Sequence, residues 1–362
     1  MQLFRRSSGF HSTRHSARVA ARGVAGLALA LLPFATAVAQ NAPALPPGSP
    51  TTVKVQIYPG TISAGHPVLW LASDKGFCKA RGLTCQLVEI ASGPLGLQAL
   101  ASGSIQIAFA TTDVAMQAAA RGNDIQLIAS AHPNRYFTLS ARKDVPLPNL
   151  AKGYPAVMKD LQGLKVGVTA RGSGTEIQTR ALLAGAGMKA EDVTFVAVGS
   201  PGTAYPAMLA KQIDAAMMFD PFATLCRIQD ACTTVVGPAD GPPELRALNG
   251  AVQQLSSTRK FIEANPQVID AFVLAVQDAV TWMRDPANLD ELVSISKKYF
   301  TMGNIANPDA ALRSLLQSEQ KTVGATLDRK AVQAHADFLL ANKLVDKPFD
   351  VGQFVHAKAP KP

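Results

Sequence analysis

Short apolar runs alternate along this chain with segments of helical periodicity, and this alternation constrains the fold more than any other feature. One series of runs reads VKVQIY from residue 53, QLVEI from 86, IQIAFA from 105 and IQLIASA from 125. A second series reads LKVGV from 164, TFVAV from 194 and IDAAMMF from 213. Short strands separated by helices predict parallel sheets of the α/β class. Two such series of strands, one after the other along the chain, predict two α/β lobes. The 362 residues are enough to give each lobe its own core.

Apolar residues at helical spacing mark the predicted helices. Between the strand-like runs, this spacing predicts helices at 66–74, 95–102, 114–121, 175–186 and 205–210. After Pro242-Pro243 the chain becomes mainly helical, with predicted helices at 259–264, 266–285, 289–299, 309–319 and 330–343. The apolar faces of this helical tail need a surface to cover, and the sheets of the lobes provide one.

A strand-like segment at 251–256 (AVQQLS) interrupts the helical region and could carry the chain back to the first lobe. Lobe 1 is therefore predicted to be discontinuous, with residues 52–142 and 250–362, and lobe 2 to consist of residues 143–249. The two crossings between the lobes are expected near 139–146 and 248–255. Two lobes joined by two crossings form a hinge that can close on a ligand.

An internal similarity relates the two predicted lobes. A shift of 108 positions aligns residues 88–113 with residues 196–221 without a gap. Both segments have the pattern strand, Ser/Gly/Pro turn, helix, strand, although few residues are identical. Duplication of one unit and the general likeness of any two strand–helix–strand units explain the pattern equally well.

The N-terminal segment has the features of a secretory signal. Residues 1–39 contain five arginines and no acidic residue, followed by the apolar run 24–34 and by Ala37-Val38-Ala39. These features predict cleavage before Gln40, an extended leader over 40–51 and a periplasmic mature protein. An uncleaved membrane anchor is the alternative, but the apolar run is far shorter than the roughly 20 residues that span a bilayer. The five arginines also account for more than half of the net charge of +9, so a nucleic-acid partner is not expected.

The four cysteines fall into two local pairs, Cys78 with Cys85 and Cys226 with Cys232. In an oxidising compartment, this arrangement predicts two structural disulfides. A four-thiolate zinc site is the alternative, but its ligands normally come in CxxC-like spacing, which both pairs lack. No metal site is therefore predicted.

The candidate binding residues lie mainly where a predicted strand ends and a helix begins. Unpaired N–H groups and the helix dipole favour bound anions at such turns, and in an open α/β sheet these turns line one crevice. Two residues outside these turns, at the ends of strands, join the set because they could face the same crevice. The candidates are Tyr58, Ser92, Gly93, Thr111, Thr112, His132, Arg171, Gly172, Ser173, Gly174, Thr175, Phe219 and Asp220.

Arg171 is the only permanent cation in this set, so it is expected to hold a carboxylate or sulfonate, and its change to Ala is expected to weaken anion binding at least tenfold. The alternative for Ser, Thr and Asp at each turn is a simple helix cap, which is favoured for Asp113 and Asp220. The turn around Gly172 and Gly174 lacks the full phosphate-loop and dinucleotide signatures, no GxSxG element is present, and the four histidines of the predicted mature chain form no HxxxH or HxH cluster. No catalytic residue and no cofactor is predicted.

The segments GFCKARGLTCQLVEIASGPLGLQALASGSIQIAFATTD, DLQGLKVGVTARGSGTEIQTRALLAGAGMKAEDVTFV and LAKQIDAAMMFDPF resemble the nitrate/sulfonate/bicarbonate (alkanesulfonate and taurine-like) substrate-binding proteins of ABC importers. The resemblance covers roughly residues 52–300. It implies a type II periplasmic binding fold, a small-molecule anion held between two lobes, no enzymatic activity, a monomer, and permease subunits at the inner membrane as partners. By motif position it places binding loops at Tyr58 to Gly60 and at the turns named above.

The sequence also departs from the family pattern. Phe219 stands where the family often has tryptophan, and both cysteine pairs are additions. The substrate therefore stays open between sulfonates, carboxylates and aromatic acids. An enzyme of the thiamine-pyrimidine-synthase-like branch and a binder of a neutral pyrimidine-like ligand remain the alternatives.

Overall fold

The computed structural model describes residues 45–49, 51–303 and 305–362. The predicted signal peptide and half of the predicted leader, residues 40–44 and 50, lie outside these residues. Within them, no helix combines the length and the apolar character that a membrane crossing requires.

The described residues form an α/β fold, as predicted. The strands are β1 (Thr52–Ile57), β2 (Thr84–Glu89), β3 (Ala108–Thr111), β4 (Ile125–His132), β5 (Thr138–Arg142), β6 (Lys165–Val168), β7 (Thr194–Ala197), β8 (Ala215–Met218), β9 (Cys232–Val236) and β10 (Gln253–Thr258). The helices are α1 (His66–Asp74), α2 (Phe77–Ala80), α3 (Gly93–Ala101), α4 (Thr112–Ala120), α5 (Gly174–Gly185), α6 (Pro201–Leu209), α7 (Phe222–Ile228), α8 (Pro243–Arg246), α9 (Arg259–Ala264), α10 (Pro266–Arg284), α11 (Leu289–Ser296), α12 (Pro308–Thr322), α13 (Arg329–Ala341) and α14 (Val351–Phe354).

The first sheet has the strand order β2-β1-β3-β10-β4. β1 pairs in parallel with β2 and is joined to the β3 region by a parallel bridge between Val55 and Ile107. β10 lies antiparallel between β3 and β4. The strand-like segment near residue 251 therefore does return to the first sheet, as the sequence indicated.

The second sheet has the order β7-β6-β8-β5-β9. β6 pairs in parallel with β7 and β8, and β5 lies antiparallel between β8 and β9. Each sheet thus has one antiparallel strand next to its edge, β10 in the first sheet and β5 in the second. The predicted boundary at residue 142 counted β5 with lobe 1, and this was wrong because β5 is hydrogen-bonded in the second sheet.

The two chain crossings between the sheets run side by side. The first connects β4 to β5 and the second leads from α8 into β10. Pro133 O accepts hydrogen bonds from the N–H groups of Gly250 (2.9 Å) and Val252 (3.0 Å). The first crossing therefore lies at 133–137, a few residues before the predicted position. The division into two closing lobes stays a prediction.

The internal similarity is visible in the helices. α3 and α6 are each nine residues long and begin 108 positions apart, as the gapless alignment requires. Each begins with a proline at its first or second position, where the fixed φ of proline suits a helix start.

The strands and helices predicted from the sequence did not include β5, β9 or the short helices α2, α7, α8 and α14.

The C-terminal helices cover the first sheet. α10 packs on α1 and α2, and one face of α10 is buried while the other is exposed. The two predicted disulfides, Cys78–Cys85 and Cys226–Cys232, are present, and each joins a short helix to the strand that follows it.

Candidate functional site

A small cavity lies where the carboxyl ends of parallel strands from both sheets face each other. It has a volume of about 20 Å³, which is room for about one water molecule. A cavity this small means that the two sides of the cleft lie against each other in this structure. The residues that line it are Tyr58, Gly93, Thr111, Val114, Tyr136, Phe137, Thr169, Ser173, Gly174, Thr175, Phe219 and Gln253.

Three helices begin at the cavity, and the residue before each helix provides no side-chain cap. α3 follows Ser92, α4 follows Thr111 and α5 follows Ser173, and none of these three residues accepts a hydrogen bond from the first turn of its helix. The simple capping role that the sequence left open for them is therefore not observed. N–H groups at a helix start without a side-chain cap, together with the helix dipole, favour a bound anion.

Hydroxyl groups form the wall that the second sheet contributes. Thr175 Oγ1 accepts a hydrogen bond from the N–H of Thr169 at 3.0 Å and lies 2.8 Å from Ser173 Oγ. All three residues line the cavity. A hydroxyl can donate or accept, so this wall can adapt its hydrogen bonds to a ligand oxygen.

The first sheet contributes two tyrosines and an amide. The Tyr58 hydroxyl donates to Phe109 O at 2.6 Å, and the Tyr136 hydroxyl donates to Gln253 Oε1 at 2.5 Å. Gln253 Nε2 is buried and has no partner among the described residues. Burial raises the pKa of both tyrosines, so both hydroxyls keep their protons near neutral pH. Gln253 Nε2 is thus a free donor at the cavity.

Aromatic rings close the cavity around these polar groups. The ring of Phe219 lies 5.8 Å from Tyr136, 6.0 Å from Phe137 and 6.1 Å from Tyr58, measured between centroids. Tilted and edge-to-face rings at these separations attract each other. Phe219 comes from the second sheet and the tyrosines from the first, so this cluster joins the two sides of the cleft.

The two sides touch at close range outside the aromatic cluster. The hydroxyls of Thr61 and Ser63 both donate to the carbonyl oxygen of Asp220 at 2.9 Å. A Cβ atom at Gly174 would lie 2.6 Å from Thr111 Oγ1, so only glycine fits there in this conformation. These contacts join the two sides of the cleft.

The structure brings seven of the thirteen sequence-predicted residues to the cavity: Tyr58, Gly93, Thr111, Ser173, Gly174, Thr175 and Phe219. The other six are Ser92, Thr112, His132, Arg171, Gly172 and Asp220.

Arg171 is the largest correction. Its side chain is 59% exposed, pairs with Glu176 at 2.9 Å and lies over the ring of Phe195. The N–H of Gly172 donates to the same carboxylate at 2.8 Å. Glu176 therefore holds Arg171 and Gly172 through these contacts, and neither of the two residues lines the cavity.

His132 and Thr112 take part in structural hydrogen bonds. His132 Nδ1 donates to Asn134 O at 3.0 Å, and the hydroxyl of Thr112 donates to Ala251 O. Burial lowers the pKa of His132 to about 4, so the ring is neutral at pH 7. Both residues stabilise the region where the chain crosses between the sheets.

Ser92 and Asp220 lie behind the cavity. Ser92 O accepts a hydrogen bond from Gln56 Nε2 at 2.8 Å, and the buried Ser92 hydroxyl has no partner among the described residues. Asp220 Oδ1 accepts from the N–H of Thr224 at 3.0 Å in the first turn of α7, which is the capping role favoured by the sequence.

Five lining residues are not among the thirteen candidates: Val114, Tyr136, Phe137, Thr169 and Gln253. Val114 and Thr169 adjoin turns that the sequence did mark. Tyr136 and Phe137 lie on the first crossing, and Gln253 begins the strand that returns to the first sheet. The amide of a glutamine inside an apolar run was the available signal for Gln253.

Known proteins share this architecture. The family model described as NMT1/THI5 like matches residues 63–288. A candidate binding protein of Brucella abortus (strain 2308) is 24% identical over 237 residues, which cover 65% of this chain and 68% of the relative.

Two solved structures share the fold. The alkanesulfonate-binding protein SsuA from Xanthomonas axonopodis pv. citri, bound to MOPS, has a TM-score of 0.67 and 22% identity, covering 85% of this chain and 99% of that chain. The periplasmic nitrate-binding protein NrtA from Synechocystis PCC 6803 has a TM-score of 0.61 and 16% identity, covering 81% of each chain.

The fold is therefore that of the periplasmic binding proteins, with two sheets and a cleft between them. The chain belongs to the NMT1/THI5 like family. The resemblance drawn from the sequence is confirmed for both family and fold.

Proposed function

We propose that this protein is the extracytoplasmic solute-binding component of an ABC importer and that it closes on a small organic anion. One observation carries the proposal. Three helix starts whose preceding residues provide no side-chain cap, two from the first sheet and one from the second, meet at a single cavity between the sheets. The sulfonate and nitrate named for the two solved relatives are anions.

The anion is held by N–H groups and hydroxyls instead of a cationic side chain. The lining residues include Thr111, Thr169, Ser173 and Thr175 but no lysine, arginine or histidine. Backbone N–H groups at helix starts bind sulfonates, carboxylates and phosphates without a paired cation. This arrangement replaces the expected role of Arg171.

The aromatic rings give the site room for the body of an organic ligand. Tyr58, Tyr136, Phe137 and Phe219 surround the polar groups, and rings of this kind cover the apolar part of a bound molecule. Because the closed cavity holds about 20 Å³, a ligand of several heavy atoms has to enter an open form and displace these rings. Ligand binding then shifts the population of open and closed forms.

The crossings at 133–137 and 247–252 provide the hinge for this motion. They are joined by the two hydrogen bonds to Pro133 O, so they bend together. Such a binding protein delivers its solute unchanged to a permease at the inner membrane, and it acts as a monomer in the periplasm after cleavage of residues 1–39. No chemical step is part of this function.

A neutral, flat, hydrogen-bonding ligand is the second candidate. The absence of a cationic side chain among the lining residues favours it, as does the unpartnered Gln253 Nε2. An uncharged ring could stack within the aromatic cluster and accept a hydrogen bond from that amide.

Calorimetric titration of the purified mature protein tests these alternatives. The probes are nitrate, ethanesulfonate, benzoate and the neutral pyrimidine uracil, with chromatography of each recovered probe. We expect at least one anion to bind and to be recovered intact. Binding of uracil alone would favour the second candidate, and a chemically altered probe would favour an enzyme.

A pair of variants tests whether the ligand binds in the cavity. Ser173→Ala removes a lining hydroxyl, and a lost hydrogen bond to a charged ligand costs about 1.5 to 3 kcal/mol, or roughly 10- to 150-fold in affinity. Ser102→Ala, at the far end of α3, removes an exposed hydroxyl that bonds only locally, and it serves as the control. Equal affinities of the two variants would place the ligand elsewhere.

A further inference from the structure

A buried carboxyl group lies directly behind the wall of the cavity. Asp113 is the second residue of α4 and is completely buried, and its neighbours Thr111 and Val114 both line the cavity. Asp113 Oδ1 accepts hydrogen bonds from the hydroxyl of Thr111 and from the N–H of Val114, the latter at 2.8 Å. Asp113 Oδ2 has no partner among the described residues.

The surroundings of Asp113 supply no cation. Tyr58 and Tyr136 are its titratable neighbours at the cavity, and both are protonated near neutral pH. α3, β3 and β10, which pack around α4, contain no charged residue.

Two further helices, α5 and α13, pack on α4. On the buried face of α5, Glu176 is already paired with Arg171 and Arg180. On the buried face of α13, the titratable residue is His335, whose pKa is lowered to about 3 by burial, so its ring is neutral. An ionised Asp113 would therefore be a buried charge without a counterion, and burial raises the pKa of this carboxyl group.

Thr111 connects this carboxyl group to the ligand. While Asp113 is ionised, the single hydroxyl proton of Thr111 points to the carboxylate, and Thr111 offers the cavity only lone pairs. An anion in the cavity would then face the lone pairs of Thr111. The negative charge of the Asp113 carboxylate, which is hydrogen-bonded to Thr111, would lie directly behind them. Protonation of Asp113 removes that charge and releases the Thr111 proton for the ligand.

We propose that this protein binds its anion together with one proton, and that Asp113 carries the proton. This inference rests on the proposed function, because it concerns an anion in the same cavity. Asp113 is a positioning residue that acts through Thr111. Anion affinity falls as the pH rises through the range in which Asp113 of the open form ionises, by up to about tenfold per pH unit.

Titration calorimetry in two buffers with different heats of ionisation counts the protons directly. The probe is the tightest-binding anion among nitrate, ethanesulfonate and benzoate, measured between pH 5.5 and 8.5. We expect the wild type to take up as much as one proton per bound anion. Asp113→Asn has no titrating group and keeps an oxygen for the N–H of Val114, so its anion affinity should be nearly independent of pH with no proton uptake.

Glu319→Gln is the matched control. Glu319 is also a buried carboxyl group, and its Oε2 accepts from the N–H of Gly65 at 3.2 Å, but it does not line the cavity. This variant should keep the proton uptake of the wild type.

The outcomes separate the two proposals. Anion binding by the wild type without proton uptake, or with the same uptake in Asp113→Asn, overturns the role of Asp113 and leaves the anion-binding function intact. The absence of anion binding at every pH overturns both. If Asp113→Asn does not fold, a wild type that takes up no proton still overturns the inference, and so does a loss of the uptake in Glu319→Gln, which would assign the proton to Glu319.

Discussion

Closure of the cleft depends on a glycine at position 174. This residue begins α5, and a Cβ atom built there would lie 2.6 Å from Oγ1, 3.0 Å from Cγ2 and 3.2 Å from Cβ of Thr111 across the cleft. Ordinary van der Waals contact begins at 3.4 Å. The Gly174→Ala variant must therefore separate the two sides by about 0.8 Å, the difference between these distances, or strain them.

Overpacking of this kind costs about 1 to 3 kcal/mol. The cost applies to the closed form alone, because in an open cleft α5 and Thr111 no longer touch. Ligand affinity should then fall by roughly 5- to 150-fold, while the free energy of unfolding without ligand changes little. Isothermal calorimetry measures the first quantity, and urea unfolding measures the second.

Two further variants make the reasoning testable. Thr111→Ala removes the two atoms that the new methyl group meets most closely, Oγ1 and Cγ2, and leaves only the Cβ contact at 3.2 Å, so adding Gly174→Ala to it should cost less affinity than in the wild type. Gly237→Ala is the control, because its Cβ would meet only Asp240 Oδ2, at 3.3 Å. An unchanged affinity in Gly174→Ala, or a loss of unfolding free energy equal to the loss of binding energy, would refute closure through this contact.

Three other perturbations probe the same structure. Arg171→Ala should change ligand affinity less than about twofold by calorimetry, because a guanidinium that is 59% exposed lies outside the cavity; a tenfold loss would restore the expectation from the sequence. Replacing Cys78 and Cys85 by serine should lower the free energy of unfolding by about 2 kcal/mol in urea, since the disulfide closes a short loop; no change would show that it does not constrain the unfolded chain. Burial raises the pKa of Glu319 to about 8, so the folded protein holds this proton more tightly than the unfolded chain and loses stability as the pH rises from about 4.5 to 8. Glu319→Gln should flatten that decline and gain at least about 1 kcal/mol at pH 8; a parallel decline would assign it to other groups.

Much of the fold could be predicted from periodicity alone. The helix His66–Asp74 and the helix Arg259–Ala264 were predicted to the residue, because apolar spacing and a bounding glycine, proline or polar cap fix both ends locally. β5 was missed because only two of its five residues, Leu139 and Ala141, are apolar. β5 became a strand through its partners β8 and β9, which are far from it in sequence.

In the candidate site too, some features follow from the local sequence and others only from tertiary contacts. The sequence by itself determined the turns at which helices start, including Gly93, Thr111 and Ser173, because turn chemistry depends on neighbouring residues. Only the tertiary structure decided which side chains face the cleft. Arg171 was assigned to the ligand by charge, yet a carboxylate one helical turn away at Glu176 holds it outside. Gln253 reached the cavity because β10 is inserted into the first sheet from residues more than a hundred positions away, and no local pattern encodes that pairing.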